Sequence, residues 1–168
     1  MSVQARGIEM KENMMDVLMY LFEHYMDEQL EIVSDQNLLK SRLIDDGFPK
    51  TEVDKAFSWL EGLAQQRGND IKGQHIGQRS IRVYTDSELK YLDTESRGFL
   101  QFLEQMEVLT AVTRELVIER AIALELGVID LEKLKWVILM VLFNQPGQEA
   151  AYAWLEDLVF EEMETYLH

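Results

Sequence analysis

Six cations gather in one short part of an otherwise acidic chain. Lys50, Lys55, Arg67, Lys72, Arg79 and Arg82 fall within residues 50–85, against four carboxylates, for a net charge of +2. Residues 1–49 carry four basic and ten acidic side chains, a net of −6, and residues 86–168 carry six basic and seventeen acidic, a net of −11. Ammonium and guanidinium groups so placed can hold phosphate oxygens, and Lys72, Arg79 and Arg82 are the candidate nucleic-acid contacts. The same cations can equally dock on the acidic remainder of their own chain, and both readings stand. A second candidate surface is the carboxylate-rich stretch Glu156, Asp157, Glu161, Glu162 and Glu164. It can engage a basic partner through attraction that salt would screen, or simply keep a helix face solvated.

Catalytic constellations are missing from the sequence. It holds no phosphate-binding glycine loop, dinucleotide fingerprint, HExxH pair or nucleophile elbow. The absence of cysteine removes disulfides and thiolate chemistry and fits a cytoplasmic setting. His24, His75 and His168 stand in different elements, so a zinc site would need ligands from distant parts of the chain. Adjacent carboxylates are too common here to mark an acid/base pair. The sequence therefore points away from an enzyme and calls for no cofactor and no metal.

The elements that position these groups are helices. With 168 residues, 47% hydrophobic and only two prolines, the chain can build one sizeable core or two small ones. Residues 1–12 read as a mobile extension, without the apolar core of a secretory signal. Asn13 is a candidate N-cap for a helix with two apolar lines, Met14, Leu18, Leu21, Tyr25 and Met15, Met19, Phe22, Met26. A second helix runs from beyond Ser34 to a stop at Gly47, and Pro49 opens a third, carrying Val53, Ala56, Phe57, Leu60, Leu63 and Ala64. The glycine-rich stretch from Gly68, ending in the alternation Ile81, Arg82, Val83, reads as a small β-hairpin. Three helices followed by a hairpin predict a winged-helix-like module over residues 13–85, with the cations on the recognition helix and wing.

Residues 86–168 predict an acidic helical bundle, either separate or sharing one core with the first module. Thr85 to Glu88 spells a capping box, and Thr94, Thr113 and Asp130 read as further helix starts. Gly98, inside a helical pattern, reads as a site of close helix packing. The last helix is expected to bury Ala150, Ala151, Trp154, Leu155, Leu158 and Val159. Trp136 to Phe143 is an unbroken apolar run, about 12 Å of helix, far short of the roughly 30 Å of a bilayer core. It reads as the central helix of the bundle or as a face for a partner or an identical subunit. A membrane span is not expected.

The stretches "DVLMYLFEHY", "KAFSWLEGLA", "IRVYT", "RGFLQFLEQMEVL", "TRELVIERAIAL" and "LKWVILMVLFNQPG" occur in an order that resembles the proteobacterial Smg family. The resemblance runs from about Met14 to His168 and is weakest over Gln65 to Ser80. It implies no catalytic or binding residues, because none are established for that family. Family genes often neighbour one for a DNA-processing protein, which implies only an association with nucleic acid. Taken together, the sequence predicts a mainly helical, non-enzymatic cytoplasmic protein acting through macromolecular contact. A protein–protein adaptor or regulator leads, a nucleic-acid-binding regulator is the alternative, an enzyme with an unrecognised site is a second alternative, and a homo-oligomer is compatible with the apolar surplus.

Overall fold

The computed structural model describes residues 13–25, 36–66 and 82–167, with side chains omitted at Tyr25 and from Phe160 onward. Eight helices occur among the described residues: α1 (Met14–Tyr25), α2 (Gln36–Asp45), α3 (Lys50–Gln65), α4 (Asp86–Leu89), α5 (Thr94–Gln105), α6 (Ala111–Ile122), α7 (Leu131–Asn144) and α8 (Glu149–Leu167). The chain divides into two compact units, residues 1–62 and 63–168.

In the first unit α1 begins with reciprocal capping. Asn13 Oδ1 accepts from the Asp16 N–H at 3.1 Å, and Asp16 Oδ2 accepts from the Asn13 N–H at 3.3 Å. The Met14 N–H donates to Glu52 of α3 at 3.0 Å, tying the two helices. Met14, Met15, Val17, Leu18, Leu21 and Phe22 are all buried, so the methionines here are core. Gly47, at φ 107°, ends α2 in a Schellman motif: the Phe48 N–H reaches Leu43 O at 3.1 Å and the Gly47 N–H reaches Ile44 O at 3.0 Å.

The second unit is organised on α7, where Leu134 through Leu142 are buried without interruption. Helices α5, α6 and α8 pack against it, so the apolar run is a central helix over that length. Phe143, the last residue of the run, is exposed. The α5 helix ends in a second Schellman motif, with Glu107 at φ 61° in the position Gly47 occupies after α2. Asp93, one residue before the expected Thr94, caps α5 by accepting from the Ser96 N–H at 2.8 Å. Thr110 caps α6 and Thr113 is its capping-box partner. Asp130 caps α7 as read from sequence.

The fold class needs one correction. All regular structure among the described residues is helical; its one β feature is an isolated parallel bridge, Leu92 with Ile129. Arg82–Thr85, the end of the expected hairpin, forms no strand. Val83 is 83% exposed, whereas a half-buried strand would turn it inward. Arg82 is held by carboxylates instead of a partner strand. The remainder of the expected hairpin, residues 68–81, lies outside the described residues, as does the proposed extension at 1–12. Without strands the winged-helix reading is withdrawn, and the fold is all-α among the described residues.

Candidate functional site

Of the three candidate nucleic-acid contacts Arg82 lies among the described residues, and each nitrogen of its guanidinium donates within the chain. Nη1 and Nη2 donate to the two oxygens of Glu88 at 2.8 and 2.7 Å, a bidentate fork. Nε donates to both oxygens of Glu115 on α6, each at 2.9 Å. Glu115 also approaches Arg114, at 3.6 Å, and Arg114 donates to Glu104 on α5 at 2.7 Å. The chain of charge therefore alternates: Glu88, Arg82, Glu115, Arg114, Glu104. Arg82 thus docks on its own bundle. Lys72 and Arg79 lie outside the described residues.

Sequence places this network locally. The capping box holds Glu88 at the third position of α4, where Oε2 also accepts from the Thr85 N–H at 3.0 Å. Arg82 lies six residues earlier, within reach of that same carboxylate. Hydrogen bonding to Arg82 pulls the Glu88 carboxyl down to about 2, against the desolvation that opposes it. The bonds to Glu88 in turn raise Arg82 above its already high value. Tyr84 lies against the Arg82 guanidinium, 4.5 Å from ring centroid to carbon, and Arg97 stands 5.9 Å from the same ring. Burial raises the Tyr84 phenol, with Arg82 and Arg114 opposing the shift. Arg114 Nε is buried without a hydrogen-bond partner.

This arrangement can fix the segment before α4 onto α6. Its carboxylates already bind arginines. Among the described residues no group of three or more His, Asp or Glu is placed to hold a metal. His24 Nδ1 donates locally to Tyr20 O at 3.0 Å, and the ring stacks on that of Tyr20.

A different surface emerges where α5 and α8 flank α7. Both helices pack on α7, and their aromatic side chains meet through Phe102 and Trp154, with ring centroids 6.4 Å apart. Phe99 lies 6.3 Å from Phe102 along α5. Phe102, Met106 and Trp154 are 42%, 53% and 37% exposed, large apolar side chains gathered at one seam. The sequence reading put Trp154 and Ala150 on the buried side of the last helix. Leu155 and Val159 do hold that core position, while Trp154 and Ala150 face solvent. Asp157, one turn beyond Trp154, is exposed, and Glu156 is half-buried. Glu161, Glu162 and Glu164 continue the helix, their side chains outside the described set.

Residues 14–168 match the family described as "Protein of unknown function (DUF494)". Curated relatives called "Protein Smg homolog" are similar throughout. One from Nitrosococcus oceani is 55% identical and one from Thioalkalivibrio sulfidiphilus 54%, each covering 95% of this chain and 100% of the relative. A third, from Stenotrophomonas maltophilia, is 51% identical over the same shares. No solved structure matches the chain. With the resemblance read from its motifs matched over 155 positions of a family and at half identity or better to these relatives, the chain belongs to the Smg family.

Proposed function

We propose that the protein acts by contact with another macromolecule, as a non-enzymatic protein–protein adaptor or regulator in the cytoplasm. The observation that carries this reading is the exposed apolar seam of Phe102, Met106 and Trp154 on an acidic helical unit. Exposed side chains of this size, adjacent across two helices, are the composition of an interface core, where aromatics and methionine are enriched. The cysteine-free composition is in keeping with a reducing compartment. A nucleic-acid role through Arg82 draws less support, because each nitrogen of that guanidinium already donates to a partner within its own chain.

The test is in-cell crosslinking followed by capture of the tagged protein, compared between the parent and the double variant Phe102→Ser, Met106→Ser. Both positions are exposed, so the variant keeps its helical content by circular dichroism. A partner recovered with the parent and lost with the variant supports the reading. An identical set from both, or none from either, overturns it.

A further inference from the structure

Resting on the contact surface just proposed, we infer that its occupant is a basic amphipathic helix of another protein, apolar toward Phe102, Met106 and Trp154 and cationic toward the acid around them. Charge selects among occupants. The whole chain carries −15, and residues 86–168 alone carry −11. A second copy seated at the seam would bring two such fields together, and the phosphates of nucleic acid or an anionic lipid surface would be opposed in the same way. A cationic segment is drawn to the same place that repels those three.

The rim has the matching chemistry. Asp157 is exposed one turn along α8 from Trp154, and Glu107 is exposed directly after Met106. Neither carboxylate has an ion-pair partner among the described residues, unlike Glu88, Glu104 and Glu115. The apolar positions are set for a helix rather than an extended strand. Phe102 on α5 and Met106 at its C-cap stand four residues apart, Trp154 and half-buried Leu158 four apart on α8, giving two lines between which one helix face can lie.

The closing experiment uses the full chain and a synthetic peptide of about 18 residues, long enough for helix formation on a surface, with leucine on one face and lysine on the other. A counterpart carries glutamate in place of lysine. Trp154 reports the binding, since Trp59 and Trp136 are buried at 4% and 2% exposure. The expected result is a blue shift of tryptophan emission on adding the lysine peptide and none with the glutamate peptide. Affinity should fall with salt and weaken about tenfold in the Phe102→Ser, Met106→Ser variant. The charge-reversal variant Glu107→Lys, Asp157→Lys, which leaves the apolar seam intact, should lose a comparable amount.

Equal binding to parent and both variants would overturn the inference, because attraction would then be general to the acidic surface. No binding of the lysine peptide would overturn it as well. A seam-dependent dimer in sedimentation equilibrium, or crosslinked capture of an acidic partner lost with the serine variant, would replace the basic helix while leaving the contact-surface reading in place. Loss of the reading itself shows separately, as a crosslinking pattern indifferent to the serine variant.

Discussion

Arg82 concentrates much of the polar structure of the second unit in one side chain. Its side chain is 18% exposed, as is that of Glu88, so the fork between them is partly shielded from solvent. Removing it by Arg82→Ala leaves two carboxylates facing each other without their common cation. A loss of about 1–3 kcal/mol in urea unfolding is expected, and Arg82→Lys should recover only part of it, since an ammonium cannot form the fork. The pH dependence follows from Glu88. Its folded value, about 2, lies below its ordinary value of 4.5, so the bond stabilises fully above about pH 4.5 and fades as pH falls toward 2. Melting temperature should therefore decline across that window, and Arg82→Ala should flatten part of the decline. A slope identical in both proteins would assign the acid sensitivity to other carboxylates.

Helices were legible wherever apolar period and capping chemistry agreed. Asn13, the Thr85–Glu88 box, Asp130 and the Gly47 stop all act as the sequence reading placed them. The hairpin was misread because Ile81 and Val83 around Arg82 make a β-like alternation, and alternation does not reveal whether either side is buried. The seam was hidden for a related reason. Phe102, Met106 and Trp154 continue stripes whose neighbours Leu100, Leu103 and Leu155 are core, and period alone does not mark where a stripe leaves the core. Gly98 teaches the same lesson from the other side. Read as a close-packing site, it has nothing within 4 Å of where a Cβ would stand. Gly98→Ala should accordingly stabilise α5 by about 1 kcal/mol, the usual helix-interior difference, seen as a higher urea midpoint with unchanged slope. A loss of stability would mean that the neighbouring helix closes on that position in solution.

At the scale of the molecule, a −15 charge on 168 residues works against compaction. Raising sodium chloride from low ionic strength to about 0.2 M, where charges are screened beyond roughly 7–8 Å, should raise the melting temperature by about 3 °C. An unchanged melting temperature would show that weakening of the Arg82 and Arg114 pairs balances the relief of repulsion. The acidic excess was fully readable from the sequence, as was its concentration in residues 86–168. Its relation to the apolar seam needed the packing of α5 and α8 around α7, which one-dimensional charge counts do not contain.

Ile129 has a kinetic consequence. Its N–H donates to Tyr91 O at 2.7 Å, and its carbonyl accepts from the buried Ser96 hydroxyl at 3.1 Å. These bonds join points more than thirty residues apart, whereas the helix bonds on either side close over four. The helices can therefore form before this stitch, which must wait for α6 and α7 to fold back beside the start of α5. Ser96→Ala should then speed unfolding severalfold while leaving the refolding rate nearly untouched, giving a φ-value near zero in a chevron analysis. Slower refolding instead would place the stitch inside the nucleus, and the junction of Leu92 with Ile129 would be where this bundle begins to assemble.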